Sequence, residues 1–232
     1  MKIFRFFEMA LVTICMCVNF TACSSGDDAD SGGFAGERKL VKMVMGDGDD
    51  TDVVAFNYDN QGRLVEIDGE TYIWGNNTIQ AGGTIYTIEN GLIQQRESKS
   101  YYDDENSIRI YTYDNAGRCN DNMVWDGDRL ALGYLGDYKY KYNYTGVTCK
   151  KGFLPIWHMA FVEDPLLVAH PELIGARTKQ LPTSATYTNF IDSSQEGGTI
   201  TYEYEFNAEG YISKVIEKRD RGYTYSYTLT WE

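Results

Sequence analysis

Phe56-Asn57-Tyr58-Asp59-Asn60-Gln61-Gly62-Arg63-Leu64-Val65-Glu66-Ile67 reads as two strands and the turn between them. Phe56 and Tyr58 lie two residues apart and share one face of an extended chain. Asp59 opens a turn, Gly62 supplies the left-handed residue that closes it, and Leu64 begins the return strand: a type I turn with a G1 bulge. The unit recurs. With Gly62, Gly117, Gly146 and Gly210 aligned, an aromatic stands six residues earlier (Phe56, Tyr111, Tyr140, Tyr204) and another four earlier (Tyr58, Tyr113, Tyr142, Phe206). Asp or Asn stands three earlier (Asp59, Asp114, Asn143, Asn207). Ile88-Glu89-Asn90-Gly91 is a tighter version, and Asp68-Gly69 and Asp126-Gly127 are two-residue hairpin signals.

Between the turns the chain alternates. Tyr138, Tyr140, Tyr142 and Tyr144 face away from Lys139, Lys141 and Asn143, and Tyr223, Tyr225, Tyr227, Leu229 and Trp231 face away from Thr224, Ser226, Thr228 and Thr230. One face is aromatic and the other wet. The expected fold is all-β: an antiparallel meander of hairpins coiled into a closed or nearly closed barrel or roll, forming one domain over residues 38–232.

The alternation stops between Lys151 and Thr183, where all four prolines fall: Pro155, Pro165, Pro171 and Pro182. Residues 152–182 are therefore an insert. Asp164-Pro165 and His170-Pro171 place an N-cap before a proline at the first helical position, which predicts short helices around Leu166 to Ile174, within a helical stretch at about 153–181. Its apolar content (Phe153, Leu154, Ile156, Trp157, Leu166, Leu167, Val168 among others) points to a plug or lid buried against the sheet, because soluble proteins rarely expose large apolar patches.

Residues 1–22 read as a signal peptide: Lys2 and Arg5 precede an apolar run from Met9 to Phe20 that is too short to span a bilayer. Phe20-Thr21-Ala22-Cys23 resembles the lipobox of bacterial lipoproteins, which makes Cys23 the lipidated residue and the membrane, through that lipid, a partner. Residues 23–37 are Gly, Ser and Asp with little else, a flexible acidic tether. Its Asp27, Asp28 and Asp30 look like the signal that sends some lipoproteins to the outer face, so the expected location is the outer membrane, at the cell surface or the periplasmic face.

The 232 residues carry a net charge of −13. Without residues 1–22, 19 Lys and Arg face 33 Asp and Glu, a net charge of −14. Such a surface repels nucleic acid and anionic lipid. Of five cysteines, Cys15 and Cys17 leave with the leader and Cys23 takes lipid. Cys119 and Cys149 remain, and their offsets from the turn glycines put them on opposite faces, as two free thiols.

The units FNYDNQGRLVEI and YTYDNAGR resemble tyrosine-aspartate repeats of the Rhs type. EDPLLVAHPELIGARTKQLPTSATY resembles a bacterial lipoprotein family catalogued as domain of unknown function 4595, over about Lys39 to Glu232. The resemblance implies a porin-like antiparallel fold, coiled or closed, and supports no mechanism, since that family has no established activity. The unit at Asn143-Tyr144-Thr145-Gly146 departs from the repeat by lacking its Gly-Arg pair.

No nucleophile elbow, phosphate loop or metal-ligand pair is present, and no cofactor is implied. Asp47, Asp49, Asp50 and Asp52 cluster oxygens that suit Ca²⁺, but the run lacks EF-hand spacing and reads better as an acidic turn. His158 and His170 read as packing or capping residues, with a Cys149–His158 nucleophile pair as the weaker alternative. Trp157, Tyr138 and Tyr140 are the candidate ligand-binding aromatics, against the reading in which the tyrosines are core. The expected function is a noncatalytic, monomeric envelope module that binds a glycan, peptide or envelope protein. Its rivals are a glycan-acting hydrolase using acids such as Asp103, Asp104 and Glu105, and an outer-membrane β-barrel.

Overall fold

The computed structural model describes residues 38–47, 51–99, 106–153, 164–176, 178–191, 197–220 and 222–232, all within the compact unit Gly32–Glu232. The leader, Cys23 and the tether lie outside the described residues. The strands are β1 (Leu40–Gly46), β2 (Thr51–Tyr58), β3 (Leu64–Ile67), β4 (Glu70–Trp74), β5 (Thr78–Ala81), β6 (Thr84–Glu89), β7 (Leu92–Lys99), β8 (Asn106–Ile110), β9 (Met123–Asp126), β10 (Arg129–Leu135), β11 (Tyr138–Asn143), β12 (Thr148–Phe153), β13 (Thr178–Gln180), β14 (Ser184–Asn189), β15 (Gly198–Phe206), β16 (Ile212–Arg219) and β17 (Thr224–Trp231). The insert contributes α1 (Pro165–Ala169) and a 3-10 turn over Pro171–Ile174.

Fifteen strands form one antiparallel sheet in the order β8-β7-β6-β5-β4-β3-β2-β1-β17-β16-β15-β14-β11-β10-β9. Among the described residues, the meander is interrupted by the insert, whose strands β12 and β13 pair with each other. The sheet is not closed, which narrows the expected closed or nearly closed barrel: β8 and β9 are its edges. These edges are consecutive in sequence, and the turn joining them carries a single isolated bridge, Tyr113 to Cys119. Its flanks extend both edges, because Tyr111 N–H donates to the Gln94 carbonyl and Tyr134 N–H to that of Asn122.

Three of the four repeat turns form as expected. Asp59, Asp114 and Asn207 each accept on one side-chain oxygen the N–H groups two and four residues on, at 2.9–3.1 Å, while Gly62, Gly117 and Gly210 sit at φ of 84°, 74° and 86°. Arg63 and Arg118 then close onto Asp59 and Asp114 at 2.7 Å. Local hydrogen bonding of this kind is why Asp and Asn lead turns. The fourth turn keeps a left-handed Gly146, but it leads β11 away from hairpin pairing: Thr183 N–H donates to the Asn143 carbonyl, and β11 pairs with β14. The hairpin at Asp126-Gly127 is shifted by one residue, since Asp126 pairs with Arg129 and the loop is Gly127-Asp128.

One face of the sheet is buried. It carries Met43, Phe56, Leu64, Ile79, Tyr86, Ile93, Tyr142, Ile200, Tyr202, Val215 and Tyr227. Leu166, Leu167, Val168, Leu173 and Ile174 of the insert join the same core, so its described part is a plug; residues 154–163 lie outside the described residues. Gly175, left-handed at φ 59°, lets the plug touch a repeat turn: a Cβ there would fall 2.0 Å from the Gly117 carbonyl oxygen. The open face bears Lys141, Glu203, Glu205, Lys218, Thr224 and Thr228.

Cys119 and Cys149 form no disulfide among the described residues, as expected, but both are buried. The expectation of opposite faces is corrected: Cys119 lies at the seam of the large sheet and Cys149 on the separate β12–β13 ladder.

Candidate functional site

The residues singled out in the sequence scatter. Trp157, His158, Asp49, Asp50, Asp103, Asp104 and Glu105 lie outside the described residues. Asp47 follows β1 and Asp52 is exposed on β2, and among the described residues no group of three His, Cys, Asp or Glu side chains could hold a metal ion. Tyr138 and Tyr140 are on β11, half-buried on the inward face. His170 and the buried acids define two polar clusters on that face.

The first cluster fixes the plug. Asp164 caps α1, accepting from Leu166 N–H at 3.2 Å, and the same oxygen accepts from the Tyr86 hydroxyl at 3.0 Å. Its other oxygen lies 3.8 Å from Arg96 Nε, a Coulombic contact too long to be a hydrogen bond. Burial dominates: it pushes the Asp164 carboxyl up to about 6 despite Arg96, and it pushes the neighbouring Tyr72, Tyr86 and Tyr111 hydroxyls up as well. His170 caps α1 with its main chain, its N–H donating to the Leu166 carbonyl at 2.8 Å, while its side chain makes no cap bond. Its Nε2 accepts from Leu64 N–H at 3.2 Å, so Nδ1 carries the proton and donates to Glu172 Oε1 at 2.6 Å. Tyr58 and Trp74 pack edge-on against its ring at 6.0 and 5.6 Å. The packing reading of His170 fits this geometry.

The second cluster is where β11 and β14–β17 line up their aromatics. Tyr140 lies opposite Tyr187, with ring centroids 5.9 Å apart and planes tilted by 32°, and Tyr138 meets Tyr187 edge-on, also at 5.9 Å. Tyr187 can lie across β15 because Gly198 stands opposite it: a Cβ at Gly198 would fall 2.6 Å from the Tyr187 hydroxyl. Deeper on the same face, Tyr202 and Glu217 are direct cross-strand partners, and Glu217 is also paired with Tyr225 of β17. Glu217 is 1% exposed and Tyr202 5%. Arg219, at the end of β16, donates to Glu217 Oε1 from Nε at 2.9 Å and from Nη2 at 2.8 Å.

Glu217 Oε2 and the Tyr202 hydroxyl have no hydrogen-bond partner among the described residues. Buried polar atoms are paired as a rule, and two orphans on one cross-strand pair mark a site. Burial pushes the hydroxyls of Tyr140, Tyr142, Tyr202, Tyr204 and Tyr227 upward, and the Glu217 charge adds to this in every case. These rings therefore stay neutral and serve as surfaces and hydrogen-bonding groups.

Sequence reading gave no weight to Glu217, and it missed the work of the tryptophans. The indole N–H of Trp74 donates to the Leu64 carbonyl at 2.6 Å, that of Trp125 to Cys119 at 2.7 Å and that of Trp231 to Ile212 at 2.6 Å. Each acceptor stands two residues after a repeat glycine, Gly62, Gly117 or Gly210. Hydroxyls of Tyr58, Tyr113, Tyr144 and Tyr204 likewise donate to the carbonyls of Leu40, Ile93, Leu130 and Pro182. These aromatics are structural clasps.

No family model and no curated protein matches the chain. Among solved structures it is similar to a porin-like protein from Bacteroides vulgatus, at 13% identity and TM-score 0.63, over 84% of this chain and 99% of that one. A porin-like protein from Bacteroides uniformis matches at 14% identity and TM-score 0.60, over 83% and 98% of the two chains. The shared property is a porin-like antiparallel fold.

Proposed function

We propose that this chain is a noncatalytic, lipid-anchored protein of the bacterial cell envelope whose β domain binds a ligand at the tyrosine-lined part of its buried face. The observation that carries the binding role is the pair of orphaned polar atoms on Tyr202 and Glu217, on the same face as the half-buried rings of Tyr138, Tyr140 and Tyr187. Binding sites combine aromatic walls with a few placed polar groups, and this arrangement supplies both. The location rests on the leader, Cys23 and the acidic tether, and the porin-like fold of the Bacteroides proteins fits it. Membership of the lipoprotein family catalogued as domain of unknown function 4595 belongs to the same reading.

The membrane enters through the lipid. A strand of a spanning barrel turns apolar side chains outward, and each Lys or Arg at the bilayer midplane there costs about 2–4 kcal/mol. The open face of this sheet carries Lys141 and Lys218, the latter bound to Glu203 at 2.6 Å.

Two measurements test the proposal. Metabolic labelling with palmitate should mark the wild-type chain and leave Cys23→Ala unlabelled and free of the membrane fraction; an unlabelled wild type removes the anchor. A glycan array and a pull-down from envelope extract, run on wild type and on Trp157→Ala, should return a ligand from one of the two. Silence in both removes the binding role.

A further inference from the structure

We infer that the second cluster is a saccharide site, with Glu217 and Tyr202 as its polar floor and Tyr140 and Tyr187 as its stacking wall; this rests on the binding role proposed above. Three observations set the ligand's chemistry. Glu217 Oε2 is an acceptor with nothing to accept among the described residues, and the hydroxyl of Tyr202, its cross-strand partner, can donate or accept. The ligand must therefore bring at least one donor, and beside it a group that pairs with a hydroxyl.

The charge of the site excludes ions. Arg219 holds the other oxygen of Glu217 through two N–H groups, so the pair is neutral and a cation arriving at Oε2 meets a guanidinium alongside. An anion meets the Glu217 charge, in a chain of net charge −13. Neutral donors remain, and adjacent hydroxyls of a sugar ring satisfy both orphans at once. A hydroxyl donating to an ionised carboxylate makes a charge-assisted bond, the stronger kind. The third observation is the wall. Tyr138, Tyr140 and Tyr187 form a half-buried group of rings on the same face, two inward positions along β15 from the floor, with Gly198 leaving the space that Tyr187 occupies and Tyr140 feeling the charges of Arg219 and Glu217. Apolar C–H faces of a sugar pack on such rings while the hydroxyls turn to the floor.

Tyr202→Phe is the decisive variant, because binding and stability should move in opposite directions. A purely structural tyrosine loses stability when its hydroxyl is removed. Here the hydroxyl has no partner to lose among the described residues, so Tyr202→Phe should melt no lower than its parent while binding weakens. The full secreted chain carrying Cys23→Ala would be screened on an array of neutral oligosaccharides, with hits measured by titration calorimetry. Tyr202→Phe and Glu217→Gln should each weaken the hit by about tenfold or more, and Glu217→Gln guards against an effect of ring packing alone.

Unchanged affinity in both variants overturns the site. An array that stays silent while n-butylammonium or an envelope protein binds, and loses binding in Glu217→Gln, overturns the saccharide class and leaves the binding role standing. Silence to sugars, amine and envelope extract alike overturns both.

Discussion

Trp74, Trp125 and Trp231 tie off repeat turns by donating to carbonyls 10, 6 and 19 residues earlier in the chain. Replacing Trp74 with Phe keeps a ring in the core and deletes the donor, leaving the Leu64 carbonyl without this partner. The expected loss is about 1 kcal/mol per clasp, read as a lower urea midpoint with unchanged slope. The turn chemistry that these clasps secure was legible in the sequence because an Asx turn closed by glycine lies within a few residues. The clasps were not, since their separations follow no period. Glu217 was hidden for another reason. Ile212 faces inward, and simple alternation from it would send Glu217 outward. A register shift opposite Phe206 places Ser213 as an extra residue, so that Val215 and Glu217 turn inward instead. One bulge exchanges every later side chain between faces, and a single sequence does not announce where it falls.

At the scale of the element, the plug is held by a carboxylate that burial disfavours. A folded-state value near 6 against 3.8 for the free group means the native state binds the proton more tightly. The penalty is therefore fully present above about pH 6 and is relieved as the pH falls toward 3.8, on the order of 3 kcal/mol. Asp164→Asn keeps an oxygen for Leu166 N–H and the Tyr86 hydroxyl and carries no charge to titrate. The difference in unfolding free energy between wild type and this variant should thus change across about pH 4 to pH 6, with wild type gaining on acidification, as measured by urea unfolding at a series of pH values. A flat difference would show that Asp164 does not titrate in this window. The insert's position and its helices were legible from the four prolines and from Asp164-Pro165. The use of His170 was not, because its partner Leu64 lies 106 residues away.

For the whole molecule, the character of the two faces bears on whether the sheet itself could lie in a bilayer. Aromatic and aliphatic side chains fill the buried face, and the other mixes Lys, Glu and Thr with scattered exposed aliphatics such as Val53, Ile73, Ile85 and Ile108. The chain with Cys23→Ala should accordingly be monodisperse in buffer without detergent, by light scattering; a requirement for detergent would return the spanning barrel to consideration. The all-β architecture was legible because alternation and turn residues agree on both sides of the insert. Its opening between β8 and β9 was not, since closure depends on summed strand tilt and stagger that no local signal records.

The order of the sheet places β1 against β17, and Lys39 and Glu232 exchange both main-chain hydrogen bonds. The ladder at the centre of the strand order is thus the one whose partners are furthest apart along the chain. While the polypeptide is made from its amino end, β1 must wait for nearly the entire length to follow before its neighbour arrives. Hairpins can form as they emerge, but the two halves of the sheet can join only after the last strand is delivered. Until that moment the apolar side of every hairpin is open to holdase chaperones and proteases, and completion of the chain becomes the timing signal for assembly.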